Sequence, residues 1–284
     1  MSHLLIIGCV SFDTVHLERS GERKTHTTIG GAALYTALAA AKAGAEVTLL
    51  APRPDELPDH LKPAAAMVNW VGPRVALADM PTLEIVHHLD DGDRATLLGA
   101  SWGAENLLVP ALLNDIQYID THFDIAHIAA LSSAARQLDF MHYFKKSKPN
   151  QVISAGTYAR AIQADAKGVK ELLQGSDAFF MNSNEARLLF NDNAIVPSEY
   201  QVIFVTDGKN GVDLYQSMPD VSVTHFDCEQ VEVADPTGAG DSFCGAALAG
   251  LTLYVSPGAA AQVGVLVASK SIEYEGPSIY FVED

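Results

Sequence analysis

Short apolar runs alternating with helix-spaced segments constrain this chain more than any other property of its sequence. Residues 3–10, 46–51, 67–72, 123–131, 151–155, 177–181 and 201–206 read as strands, and the first is a Leu/Ile/Val run closed by Gly8, apolar on both faces. Helical segments fall between them at 32–42, 134–145, 164–174 and 186–190, with a shorter one at 55–66 interrupted by prolines. Such alternation implies right-handed crossovers and an α/β fold: a mostly parallel sheet with helices on both faces. In open sheets of this kind ligands bind beyond the carboxyl ends of the strands.

A second pattern is superposed on the first. Residues 82–89 and 94–99 flank Asp90-Asp91-Gly92-Asp93, a hairpin turn, with Leu83, Ile85 and Leu89 on one face and Glu84, Val86 and His88 on the other. Residues 25–29 form a further short strand, so segments near 13–29 and 82–99 together predict a small β-flap over one side of the main sheet. Short strands at 212–215, 221–226 and 230–233 follow, and a last helix starts at Ser256-Pro257 with Val263, Leu266 and Val267 inward and runs to about Tyr274.

At 284 residues, with 48% apolar residues, the chain can bury one sizeable core, and no repeat or linker divides it; residues 1–284 read as a single domain carrying the flap. Lys and Arg number 18 against 35 acidic residues, a formal charge of −17, which disfavours a nucleic-acid or anionic-membrane role. An anionic ligand has to be held by local donors against that field. Cys9, Cys228 and Cys244 are scattered without zinc-site spacing, Leu4–Ile7 is too short for a signal segment, and no apolar run reaches a membrane span, so a cytoplasmic protein is expected.

Chemistry concentrates in Ala234-Asp235-Pro236-Thr237-Gly238-Ala239-Gly240-Asp241-Ser242-Phe243. Pro236 ends what precedes it, the glycines free the backbone, and Phe243, Ala246, Ala247 and Leu251 recur at helical spacing. Gly238 to Gly240 therefore sit at a helix N-terminus with Asp241 in its first turn. Unpaired N–H groups there favour an anion, and a carboxylate beside it suits phosphoryl transfer to a hydroxyl: donors for charge, a base for the proton. A purely structural turn with a dipole-complementing Asp is the competing reading.

Other candidates are placed by the same logic. Asp13 follows the first strand, where it would grip a substrate hydroxyl or be a solvated turn residue. Gly30-Gly31 open a helix and let a ligand approach the backbone. Asn182-Ser183-Asn184-Glu185 reads as a capped helix start. Thr206, Gly208 and Gly211 form a glycine-rich turn after a buried strand, and Arg94 sits beside the flap turn as a solvated residue or an anion contact.

The string from Asp235 to Phe243 closely resembles the C-terminal signature of the ribokinase-like, or PfkB-type, carbohydrate kinases. Gly8 with Asp13, the Gly30-Gly31 pair, Asn182 with Glu185 as an N-x-x-E element, and the Thr206–Gly211 loop extend the resemblance over nearly the whole chain. It implies a ribokinase-like fold with the flap as a lid over the sugar, often pairing between subunits, so a homodimer through the lid is an expectation. It further implies an ATP-dependent transfer of the γ-phosphoryl group to a hydroxyl of a sugar or sugar derivative. Asp241 is then the general base, with Gly238, Ala239 and Gly240 as the anion hole. Thr206, Gly208 and Gly211 hold nucleotide phosphate, and Asn182 and Glu185 order Mg²⁺, Glu185 through water. Asp235 and Thr237 lie beside a monovalent cation such as K⁺, and the C-terminal region lines the adenine pocket. Asp13, Gly30, Gly31, Tyr35 and Arg94 face the substrate. Tyr35 departs from the family, which has Asn there; either it faces the pocket and changes how the acceptor is held, or it is an aromatic packed on the sheet. Neither a Walker A sequence nor G-x-G-x-x-G after the first strand is present. A nucleoside kinase on the same fold and a catalytically silent ligand-binding relative are the alternatives.

Overall fold

A computed structural model describes residues 2–90, 94–103, 105–119, 122–191, 193–217, 220–253 and 255–282, with the backbone alone for residues 94 and 105–108. In chain order, β1 (His3–Ile7), β2 (Ser11–Arg19) and β3 (Glu22–Gly30) precede α1 (Ala32–Lys42) and β4 (Glu46–Leu50). The two-residue β5 (Arg53–Pro54), α2 (Lys62–Met67), β6 (Asn69–Val71), the two-residue β7 (Arg74–Val75), β8 (Thr82–His88) and β9 (Arg94–Ser101) follow. Then come α3 (Glu105–Asp115), β10 (Ile125–Ile128), α4 (Ala134–Ser147), β11 (Val152–Gly156), α5 (Ala159–Gly175), β12 (Ala178–Asn182) and α6 (Ser183–Phe190). The chain closes with β13 (Val202–Thr206), β14 (Val212–Ser217), β15 (Val221–Phe226), α7 (Ala239–Thr252) and α8 (Pro257–Ser271).

Nine strands form the large sheet in the order β15-β14-β13-β12-β11-β10-β1-β4-β6. β10 to β13, β1, β4 and β6 run parallel, and β14 and β15 add an antiparallel edge. Its strand order reverses at β1, which lies between β10 and β4, and this opens a crevice at the carboxyl ends. Helices α1, α7 and α8 bury one face of the sheet; α3 to α6 bury the other. No described helix is long and apolar enough to cross a membrane.

The expected flap is a four-stranded sheet in the order β3-β2-β8-β9. β2 and β3 are antiparallel, joined at Ser20-Gly21, whose φ values of 53° and 80° are those of a two-residue hairpin turn that follows the strand twist. β2 alternates strictly, with Ser11, Asp13, Val15 and Leu17 buried between half-exposed neighbours. Residues 91–93 of the second hairpin lie outside the described residues.

Three expectations need correction. Residues 230–233 form no strand: among the described residues none pairs with the outer edge of β15, and the Val233 carbonyl accepts from Arg19 Nη2 at 2.8 Å instead. Asp13 follows the first strand but is no solvated turn residue: after β1 the chain crosses to the small sheet, and Asp13 lies buried inside β2. Val263 and Leu266 point outward, 38% and 51% exposed, because α8 meets α7 through small residues. Gly250 abuts Ala260 and Gly264 abuts the Phe243 ring, so the bulky side of α8 is turned away. Helix α3, unanticipated in the sequence, carries Pro110 in its interior, which obscures helical periodicity.

The seating of α7 decides where the site lies. Phe243 packs edge-on against Phe180 of β12 and Phe204 of β13, at centroid separations of 6.1 and 5.6 Å, and these two rings stack at 4.9 Å. Full burial of each such ring stabilises by about 1.5–3 kcal/mol. On the next turn Gly245 lies against the Thr36 carbonyl of α1, where a Cβ would collide with backbone. Gly245→Ala is therefore expected to destabilise by about 1–3 kcal/mol, lowering Tm by roughly 2–10 °C in thermal melts. Gly240→Ala, whose Cβ would meet open space, should leave Tm nearly unchanged.

Candidate active site

Asp235 to Asp241 cross the crevice between the two sheets and enter α7. Gly238 is left-handed, φ 76°, and its α-carbon faces the Tyr35 ring so closely that any Cβ would strike it. Only glycine satisfies both demands. The turn is tightened by Ala239 N donating to Pro236 O at 3.2 Å and Ser242 N to Gly238 O at 2.8 Å. Of the three expected anion-hole amides, Ala239 is thus engaged, whereas Gly238 and Gly240 have no backbone partner among the described residues. Asp241, half-buried in the first helical turn, is pushed up to about 7 by burial and by the nearby charge of Asp13.

Asp13 enters from the small sheet. Ser11 Oγ donates to its Oδ1 at 2.6 Å, and its carboxylate lies over the Gly30 α-carbon, leaving no room for a side chain there. Burial raises it to about 6, opposed by the Ser11 bond and by the Gly31 backbone. Gly31, φ 96°, is the N-cap of α1. Tyr35, on the first turn of that helix, is 2% exposed. Burial holds its phenol well above the ordinary value, reinforced by Asp235, Asp13 and Asp241, and its hydroxyl has no hydrogen-bond partner. Its ring is buried against Gly238, within electrostatic reach of three carboxylates.

On the opposite side, Asn182 and Thr206 end the adjacent strands β12 and β13 in register. Asn182 caps α6 in a reciprocal box: Glu185 N donates to its Oδ1 at 2.9 Å, and Asn182 N and Nδ2 donate to the Glu185 carboxylate, both at 2.8 Å. Burial pushes Glu185 up to about 8, and the like charge of Asp241 adds to the rise. A buried acid of this kind keeps its proton near neutrality unless a cation compensates it. Hard oxygens and an uncompensated carboxyl fit Mg²⁺, and because both carboxylate oxygens are already engaged, the fit is through water. Gly208 and Gly211, at φ 52° and 92°, close the turn after Thr206, with Gly211 N donating to Gly208 O at 3.0 Å. Beside it lies a groove of about 670 Å³, lined by His225, Phe226, Val231, Val265, Leu266 and Glu273 among others.

Asp235 and Thr237 do not fit a monovalent cation. Asp235 Oδ1 accepts from Thr237 N at 2.9 Å, and Oδ2 from Gly276 N at 3.0 Å, with His26 Nε2 also 3.0 Å away. Thr237 Oγ1 is paired with His87 Nε2 at 2.8 Å. His26, His87 and Ser11 were not singled out in the sequence; the signal for His26 was its place two residues from Lys24 and Thr28, on the face of β3 that looks inward. Arg94 has only its backbone described, paired with His88.

Residues 1–283 match the model of the pfkB family carbohydrate kinases. A cytidine kinase of Thermococcus kodakarensis is 26% identical over 262 residues, 88% of each chain. Among solved structures, the nucleoside kinase of Methanocaldococcus jannaschii superposes with a TM-score of 0.73 at 20% identity, covering 98% of this chain and 93% of that one. Ribokinase from Cryptococcus neoformans var. grubii serotype A, solved in complex with ADP, gives 0.76 at 17% identity over 99% and 96%. The fold is ribokinase-like, and the chain belongs to the pfkB family of carbohydrate kinases, ATP-dependent phosphotransferases that act on hydroxyl groups.

Proposed function

We propose that this enzyme transfers the γ-phosphoryl group of ATP to a hydroxyl of a sugar or sugar derivative, with Asp241 as the base. The observation that carries the reading is Asp241 in the first turn of α7, directly after the Gly238–Gly240 turn and raised to about 7. A carboxyl tuned to neutrality takes a hydroxyl proton better than one at its ordinary value. The acceptor oxygen forms its bond to the γ-phosphorus as that proton passes to Asp241, and the bond to the bridging oxygen breaks to release ADP. Free amides at Gly238 and Gly240, with the positive end of α7, stabilise charge on the moving phosphoryl group.

Asp13, fixed by Ser11, accepts from a second hydroxyl of the acceptor and orients it, with Gly30 and Gly31 allowing close approach. The small sheet acts as a lid that excludes water, and Arg94 stands at its far hairpin. Thr206, Gly208 and Gly211 hold the nucleotide phosphates, and the groove carrying exposed Leu266 takes the base. That use accounts for the outward Leu266 of α8. When bound, Mg²⁺ held through water at Asn182 and Glu185 supplies positive charge against the phosphates. A nucleoside is the second reading for the acceptor, favoured by the cytidine kinase relative. None of the three cysteines forms a disulfide among the described residues, in keeping with a cytoplasmic enzyme.

A screen of sugars, sugar phosphates and nucleosides for ATP consumption and product mass is expected to return a monophosphorylated product; activity on nucleosides alone would select the second reading. Asp241→Asn should fold and bind nucleotide while turnover falls by about 10²–10⁴-fold, and near-normal turnover would reject the base assignment.

Two pH effects follow from the raised acids. Since Asp241 must be ionised to accept a proton, kcat/KM should rise with pH along an acidic limb near 7. Stability should move the other way. Asp13, Asp241 and Glu185, raised to about 6, 7 and 8, retain protons that the unfolded chain has already lost. Their contribution is present at low pH and is lost as pH rises through those values. His87 and His127, lowered to about 4 and 3 by burial, oppose this only below their unfolded value of 6.5. Tm of the ligand-free protein should therefore fall between about pH 6.5 and 8.5, less steeply in Asp241→Asn, as calorimetry would read.

A further inference from the structure

The inner face of β3 meets the loops flanking the catalytic turn at alternate residues. Lys24 pairs with the Glu275 carboxylate, His26 reaches Asp235, and Thr28 lies against Gly276, whose φ is 56°. From the adjoining half of the small sheet, β8 contributes His87 to Thr237. Asp235 is thereby ringed by the N–H groups of Thr237, Gly276 and His26. As a carboxylate only accepts, the ring nitrogen facing it, Nε2, carries the proton.

Alkali cations are held by shells of oxygens that replace their water. Several of the neighbouring oxygens already accept hydrogen bonds. The Ile272 carbonyl accepts from both Ala234 N and Asp235 N, at 2.8 and 3.1 Å, and the Ser271 carbonyl from Tyr274 N at 3.3 Å. Ser278 Oγ donates to the Glu275 carbonyl at 2.7 Å. The N–H dipoles aimed at Asp235 present the same positive end that a cation would, and they come from protein that is already in place.

We propose that His26 stands where a monovalent cation would, with His87 beside it. Together they hold the 235–238 turn in its anion-binding shape, so that the enzyme works without monovalent-cation activation. The inference rests on the kinase reading for its effect on turnover, but not for its effect on cation binding. His26 touches no reacting atom; it is a positioning residue acting through Asp235. The lid is thereby made part of the apparatus that shapes the anion hole.

The test compares potassium chloride with tetramethylammonium chloride at equal ionic strength. Wild-type protein should show the same Tm and the same kcat in both salts. His26→Ala should lose about ten- to a hundredfold in kcat in tetramethylammonium and recover several-fold in potassium, with a potassium-dependent rise in Tm. His26→Gln, which keeps an N–H donor, should retain more turnover than the alanine variant and stay insensitive to potassium. A potassium-specific rise in Tm or several-fold activation of wild-type protein would overturn the proposal, and so would full turnover of His26→Ala in tetramethylammonium. The wild-type melts need no variant to fold and no acceptor to be known. Failure to phosphorylate any acceptor would count against the kinase reading alone, while the melts would still decide the question of the cation.

Discussion

Contact between the backbones of α1 and α7 is the constraint on which the rest depends. With Gly245 against the Thr36 carbonyl, α7 lies closer to α1 than any side chain would permit, and Phe243 is wedged against Phe180 and Phe204. Helices are stiff, so a helix fixed at its second turn has a fixed N-terminus. The Gly238–Gly240 amides and Asp241 thus inherit their position from packing one turn away. Tyr35 completes the arrangement from the same pair of helices, with its ring under Gly238. Phosphoryl transfer is largely a matter of position and electrostatics, and here position is a property of the core.

The electrostatics are less comfortable. Asp13, Asp235 and Asp241 converge in a chain of net charge −17, and the substrate's donor is itself an anion. The molecule meets this by treating the three differently. Asp235 faces three nitrogen partners, Asp13 is held by Ser11 and the Gly31 backbone, and Asp241 is left with burial and the like charge of Asp13. The carboxylate with the fewest fixed donors is the one assigned to proton transfer.

Much of this was legible in the sequence because it depends on local pattern. The parallel sheet follows from apolar runs and their spacing, and α1 is bounded as expected at Ala32–Lys42. One half of the small sheet was visible as the alternating hairpin of residues 82–99, whereas of the other half only residues 25–29 read as a strand and β2 went unread; the turn at Gly238 with Asp241 could be placed on a helix from periodicity alone. What was hidden depends on encounters across long sequence distances. Asp235 meets His26 and Thr237 meets His87 only because the small sheet folds back over the α7 loop, 209 and 150 residues away in the chain. The direction of α8 was misread for a related reason: its small residues, which carry little hydrophobic signal, make the contact with α7, while Val263 and Leu266 face out. Residues 230–233 have strand composition, yet the Val233 carbonyl is engaged by Arg19 of the small sheet and not by a strand.

The turn at Ser20-Gly21 lies at the tip of the small sheet, yet it carries information for the loop that bears Asp235. Its two residues set the register in which Glu22 opposes Arg19, and so which members of β3 look inward. Strand side chains alternate with a period of two, so a slip of one residue would exchange Lys24, His26 and Thr28 for Arg23, Thr25 and Thr27. Asp235 would then face a threonine methyl or hydroxyl and no imidazole. Insertions at an exposed hairpin tip are ordinarily among the most tolerated changes a protein undergoes. At this tip, the parity of the loop length is under the control of chemistry at the other end of the sheet: an odd insertion absorbed by a register slip would leave a well-formed small sheet with the wrong face turned to Asp235.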